Sequence, residues 1–248
     1  APRKGMILLV AFILGLILPA GVLYLRFIIN NKVRGCKDIK SYTSLPFLGE
    51  IPRYETQSLH HRIIPKVFRS KESKRHLRQK ERYKNILLFN AKERVVISEA
   101  FTVVRTNLAY MLHRIESKGK VLMTTSAIPE SGKTFISANF SSCLASLEGN
   151  RVLLIDADIR KASLSDALAS YMTQRSKGGL SSYLLGSSTD LSDLIVRIDA
   201  SSPFDFLPAG VVPPNPTELL LGDRFAELID KVREMYDYIL IDSVPFIN

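Results

Sequence analysis

The nine residues SAIPESGKT, Ser126 to Thr134, constrain the fold of this 248-residue chain more than any other feature, because of what flanks them. VLMTT (Val121 to Thr125), a short β-rich apolar run, precedes them. After them Ile136, Phe140, Cys143, Leu144 and Leu147 recur at helical spacing. Strand, loop and helix in that order make a phosphate cradle: a small, flexible loop turns successive backbone N–H groups toward an anion, and the helix points its positive end at it. The stretch fits the P-loop pattern from Ala127 to Thr134, with Ala127 in place of the usual first glycine. Ala127, Pro129, Glu130, Ser131 and Gly132 then form the nucleotide-binding loop. Lys133 is placed to reach the β- and γ-phosphates of ATP, and the Thr134 hydroxyl to ligate Mg²⁺.

Two further apolar runs end in carboxylates. VLLI (Val152 to Ile155) runs into DADIR, so Asp156 and Asp158 stand two residues apart on an emerging strand, which projects them to the same side. Such a pair can organise Mg²⁺ and its waters, and one member can accept a proton from an attacking hydroxyl. YILI (Tyr238 to Ile241) closes on Asp242, the Walker B pattern, whose carboxylate holds Mg²⁺ directly or through water. From Val95 onward, short β-rich runs alternate with helical patterns. This predicts an α/β fold of the P-loop NTPase kind, a mostly parallel sheet with flanking helices and ligands beyond the carboxyl ends of the strands.

Met6 to Leu25 is an uncharged apolar run of the length a bilayer-crossing helix needs, with Tyr24 and Arg26 where interfacial anchors lie. Its apolar stretch is longer than that of a secretory signal peptide. Lys32, Arg34, Lys37 and Lys40 follow closely, and the positive-inside rule puts the C-terminal side in the cytoplasm. The chain carries a formal charge of +10, but Arg53 to Lys84 alone holds eleven Lys or Arg against three glutamates. A charge so concentrated speaks against a nucleic-acid-binding face. It suits a basic tether, either solvated or drawn to anionic membrane lipids. The expected organisation is an extracytoplasmic remnant (1–5), a transmembrane helix (6–29), a basic juxtamembrane linker (30–90) and a nucleotide domain (91–248). The two cysteines, Cys36 and Cys143, fit neither a disulfide framework nor a C-x-x-C motif.

Together these residues resemble the bacterial tyrosine autokinases of capsule and exopolysaccharide export, the BY-kinases. In that family a P-loop, a hydrophobic-D-x-D-x-R motif and a Walker B strand form the ATP site, matching Ser126 to Thr134, Asp156 to Arg160, and Asp242 here. A transmembrane helix precedes the kinase domain. SLPFLGEIP (Ser44 to Pro52), GGLSSYLLG (Gly178 to Gly186) and LPAGVVPPNPTELL (Leu207 to Leu220) are also family-like; in the last, Asn215, Pro216 and Glu218 read locally as a helix start. In Ile97 to Leu112, with apolar residues at helical spacing, the family carries E-x-x-R-x-x-R at a ring interface. Glu99 and Arg105 match, and Thr102 replaces the first arginine.

The resemblance implies catalysis by Lys133, Asp156, Asp158 and Asp242 and metal binding by Thr134, Asp156 and Asp242. A γ-phosphoryl group would pass to a protein tyrosine presented in trans within a ring-like homo-oligomer. It further implies an inner-membrane location, the kinase domain in the cytoplasm, and the polysaccharide export machinery as partner. The chain begins at Ala1, not Met, and ends soon after the third strand. It is therefore expected to be a fragment truncated at its C-terminus, without the family's tyrosine cluster and part of its sheet. The alternatives are a membrane-bound ATPase of the partitioning and septum-site (ParA/MinD) type and a non-catalytic scaffold of polysaccharide export.

Overall fold

The computed structural model describes residues 4–29, 35–53, 86–88, 95–113, 117–188 and 190–246. The chain divides into two compact units, Ala1–Phe47 and Leu48–Asn248. The basic stretch from His60 to Lys84, together with Lys32 and Arg34, lies outside the described residues.

In the first unit, α1 (Lys4–Ile29) is a 26-residue helix containing Pro19. At 1.5 Å per residue it is about 39 Å long, more than the roughly 30 Å of a bilayer's hydrocarbon core. Its described side chains are exposed, Leu8, Phe12, Leu18 and Leu23 among them. The short α2 (Cys36–Tyr42) follows, with Asp38 in its first turn and Lys40 in its last.

The second unit is built on a five-stranded sheet in the order β1-β5-β2-β4-β3. The strands are β1 (Lys120–Thr124), β2 (Val152–Asp156), β3 (Val196–Ile198), β4 (Phe204–Leu207) and β5 (Tyr238–Asp242). β1, β5, β2 and β4 run parallel, and β3 adds an antiparallel edge. β2 is buried along its whole length, as expected of a central strand covered on both faces. Alternation along the strands feeds two clusters. Val152, Leu154 and Leu240 join one with α3 (Val95–Leu112), α4 (Lys133–Ala145) and α5 (Ser163–Leu168). Leu153, Ile155, Ile239 and Ile241 join the other with α6 (Leu180–Leu184), α7 (Leu191–Leu194), α8 (Pro216–Leu221) and α9 (Asp223–Met235).

α3 is long and apolar enough to cross a membrane, yet it buries Ile97, Phe101 and Leu108 in the first cluster and is a core helix of this unit. At α8, Asn215 and Pro216 take the N-cap and first helical positions as the sequence suggests. The Asn215 side chain, however, donates to the Glu218 carboxylate (2.9 Å) and caps no backbone amide.

The packed unit begins earlier than residue 91. Leu48 and Ile51 pack on the first cluster, and Asn107 donates from its side chain to the Leu48 carbonyl (2.8 Å). Ile86 and Leu88 are buried in the same cluster. Leu48, Ile86 and Leu88 belong to short apolar runs, LPFL (45–48) and ILLF (86–89), too brief to show the periodicity that marks a packed element in sequence. β3 and β4 escape notice for a related reason: VRI and FDFL are too short to show a period. They are held by a cross-strand pair, Arg197 to Asp205 (2.8 Å), whose other carboxylate oxygen accepts from the buried Tyr236 hydroxyl (3.0 Å).

Candidate active site

The strand register sets the site. Thr124, Asp242 and Asp156 are paired across β1, β5 and β2, so the carboxyl ends of three parallel strands finish in one row. By alternation, Asp242 and Asp156 point to the face covered by α4 and α5. The loop of Ala127, Pro129, Glu130, Ser131 and Gly132 lies exposed above this row and leads directly into α4. Two of its residues hold left-handed backbone, Glu130 at φ 58° and Gly132 at φ 92°. The glycine takes this conformation freely, and the glutamate is strained, as loops shaped around a ligand often are.

Lys133, the first residue of α4, donates from Nζ to the Ser126 hydroxyl (3.1 Å) across the mouth of the loop. One residue on, Thr134 donates from Oγ1 to Asp242 Oδ2 (3.1 Å), joining the P-loop helix to the β5 strand. The second Asp242 oxygen accepts from Ser137 Oγ (3.0 Å). No motif marks Ser137, although its place three residues after Thr134 puts both hydroxyls on one helix face. Burial raises the Asp242 carboxyl to about 6, against the hydroxyls of Ser137 and Thr134 and the charge of Lys133, which lower it.

Asp156 is fully buried. Its Oδ2 accepts from both the hydroxyl (2.7 Å) and the amide (2.9 Å) of Ser165, and its Oδ1 accepts from the Asp158 amide (3.2 Å). Burial pushes this carboxyl up to about 7, with the nearby Asp242 adding to the effect. Asp156 and Asp158 do not share a strand as the two-residue spacing predicts. β2 ends at Asp156, the Ala157 amide bonds across to the Asp242 carbonyl (2.9 Å), and the chain then turns at Asp158–Ala162. Asp158 stands half-exposed beyond the strand, its Oδ1 accepting from the Lys161 amide (3.2 Å). One carboxylate is buried and fixed; the other is open.

No group of three or more His, Cys, Asp or Glu suited to a metal occurs among the described residues. Mg²⁺ keeps most of its waters and takes one or two protein oxygens beside substrate phosphates. The adjoining Thr134 hydroxyl and Asp242 carboxylate are hard donors of that kind, with Asp156 one strand away.

Glu99 is exposed on α3. Arg105 turns to its own chain, donating to the Cys143 carbonyl (2.8 Å) and the Ser146 hydroxyl (2.9 Å). There it neutralises the negative end of the P-loop helix. The buried Asn139 of α4, unremarked in sequence, donates to the carbonyls of Ile86 and Phe135 and accepts from the Leu88 amide, mooring 86–88 to the P-loop helix.

The AAA domain family model matches residues 130–248. Tyrosine-protein kinase Etk of Escherichia coli K12 is 30% identical over 99% of this chain and 32% of its own length. The solved kinase domain of E. coli ETK superposes with a TM-score of 0.65 at 28% identity, covering 86% of this chain and 74% of that one. The VpsO kinase domain does so at 0.50 and 32% identity, covering 62% and 72%. The chain spans about a third of the length of the curated relatives it matches.

Proposed function

Since this chain belongs to the family of bacterial tyrosine-protein kinases, we propose that it binds Mg²⁺-ATP and transfers the γ-phosphoryl group to a tyrosine hydroxyl of another protein, foremost a second copy of itself. The observation that carries this reading is the Thr134–Asp242 contact at the foot of the P-loop, in register with a buried Asp156. The loop amides and Lys133 would hold the phosphates. Thr134 and Asp242, with Asp156 behind them, would hold Mg²⁺, which offsets the charge developing on the phosphate oxygens. In the transfer the tyrosine oxygen bonds to Pγ, the bond from Pγ to the β–γ bridging oxygen breaks, and ADP leaves. The tyrosine proton passes to a carboxylate. Half-exposed Asp158 is better placed to meet an incoming hydroxyl than Asp156, whose oxygens already accept three hydrogen bonds.

We further assign α1 to the bacterial inner membrane and the Leu48–Asn248 unit to the cytoplasm, where ATP is found. The 26-residue apolar helix supports this, as do the basic residues after it. Anionic lipids would attract the basic linker. Glu99 on the exposed side of α3 suits a contact between copies in a ring, with Arg105 bracing the helix beneath. Regulation of polysaccharide polymerisation and export is the cellular role that we infer.

The test is phosphotyrosine mapping on the full-length protein incubated with Mg²⁺-ATP, beside its Lys133→Met variant. Phosphotyrosine should form and fall by about 100-fold or more without the lysine. ATP hydrolysis without phosphotyrosine would replace the kinase by a hydrolase, and neither activity would leave a scaffold.

A further inference from the structure

Ser165 sits between two parts of the fold that sequence alone does not connect. Its hydroxyl donates to Asp156 Oδ2 (2.7 Å) and accepts from the Ala209 amide (2.9 Å). Its own amide reaches the same carboxylate oxygen (2.9 Å). The amide bond has a local explanation: Ala162, at the N-cap of α5, has no side chain to cap the helix, and Asp156 supplies the missing acceptor. The hydroxyl bond has none. An alanine at 165 would leave the helix capped through its amide.

What the hydroxyl adds is an anchor. The Ala209 amide that holds it lies in the segment Pro208–Gly210 following β4, and β4 pairs with β2 so that Leu207 sits opposite Ile155. That segment is itself held. The amides of Leu180 and Ser181 donate to the carbonyls of Pro208 (2.7 Å) and Ala209 (3.0 Å). Gly210 adopts φ 82°, and the backbones approach so closely that a Cβ on Gly179 would lie 2.4 Å from the Gly210 nitrogen. The family-like stretches GGLSSYLLG and LPAGVVPPNPTELL thus meet in a rigid brace, and Ser165 is its link to the site.

We propose that Ser165 is a positioning residue: its hydroxyl, held by the Ala209 amide, fixes the carboxylate of Asp156 for Mg²⁺-nucleotide binding and phosphoryl transfer. The inference rests on the role assigned to Asp156 above. Groups that orient a metal's carboxylates in this way matter about as much as the ligands, with roughly 10-fold or larger losses on their removal.

The experiment uses the full-length protein and its Ser165→Ala and Ser165→Thr variants. The first readout is the Mg²⁺ concentration that half-saturates binding of a fluorescent ADP analogue; the second is kcat and KM for ATP in tyrosine phosphorylation. Alanine should raise the Mg²⁺ midpoint about 10-fold while leaving metal-free nucleotide affinity unchanged, and lower kcat about 10-fold with KM within about twofold. Threonine, which keeps the hydroxyl, should restore both. Should the alanine variant not fold, Ser165→Cys, which keeps the volume and weakens the hydrogen bond, should shift both readouts in the same direction. An unchanged Mg²⁺ midpoint and kcat, or a loss of thermal stability that threonine does not rescue, would overturn the proposal. If the parent protein binds Mg²⁺-nucleotide but phosphorylates nothing, the kinase reading fails, and the Mg²⁺ midpoint alone decides for or against Ser165.

Discussion

Two helices of this chain invert the usual relation between polarity and burial. α1 is uncharged and predominantly apolar between Lys4 and Arg26, with Leu, Ile, Val and Phe side chains that stand exposed. α4 carries Ser137, Asn139, Ser141 and Ser142, and from Ser137 to Leu144 it is buried without a break. The first is long and apolar enough to cross a membrane. The second is central to the Leu48–Asn248 unit, wedged among the sheet, α3 and the 86–88 segment. Small polar residues let it approach these neighbours closely, and each hydroxyl or amide finds a partner: Ser137 on Asp242, Ser141 on the Ser137 carbonyl, Ser142 on the Ser202 carbonyl, Asn139 on Ile86, Phe135 and Leu88. Hydrophobicity alone would rank the two helices in the wrong order of burial; length and hydrogen-bond satisfaction rank them correctly.

The sharpest way to break the comparison is Asn139→Leu. Leucine is nearly the same size and by composition better suited to a buried site, yet it would leave the Leu88 amide and the Ile86 carbonyl buried without their partner. Each such orphan costs about 1–3 kcal/mol. We expect a loss of about 4 kcal/mol in urea unfolding, with hydrogen exchange at the Leu88 amide accelerating well beyond the rest of the unit. If the variant is as stable as its parent, satisfaction of polar groups is not what holds α4 in place.

For α1 the opposite substitution is informative. Leu16→Arg puts a charge near the middle of the proposed span, at an expected cost of about 3 kcal/mol relative to an apolar residue. Alkaline carbonate extraction of membranes should release a measurably larger fraction of the variant than of the parent, while the thermal stability of the Leu48–Asn248 unit stays unchanged. Equal retention would mean that α1 does not rely on a bilayer for its burial.

The same contrast explains which features are legible in sequence. α1 and the P-loop are local: a continuous apolar run, and a strand, loop and helix in contiguous order. Asp156 and Asp242 are legible because each closes an apolar strand run, and parallel pairing then aligns them. Ser165 and the Ala209 amide lie 44 residues apart, and Asn139 and Leu88 lie 51 apart. No periodicity marks such partners, so Ser137, Asn139 and Ser165 escape a reading by motif. The orientation of Asp158 is illegible for another reason: two-residue alternation stops with β2 at Asp156, and the chain turns beyond it. Arg105 shows the same limit, since its partner at the C-terminus of α4 is 38 residues away.

The smallest expected effect separates polarity from size in α4. Ser141 is fully buried, and its hydroxyl donates to the Ser137 carbonyl one turn back (2.9 Å), a group already positioned to accept an amide within the helix. Removing that hydroxyl orphans no buried partner, and alanine is the better helix former by a few tenths of a kcal/mol. Ser141→Ala should therefore change stability by no more than about 0.5 kcal/mol, measured by urea unfolding beside Asn139→Leu. The two residues are equally buried and both polar, and differ in whether their loss strands a partner elsewhere in the fold. A loss above about 1.5 kcal/mol at Ser141 would instead mean that packing against the missing oxygen carries the energy, and that the serines of α4 are held by shape rather than by their bonds.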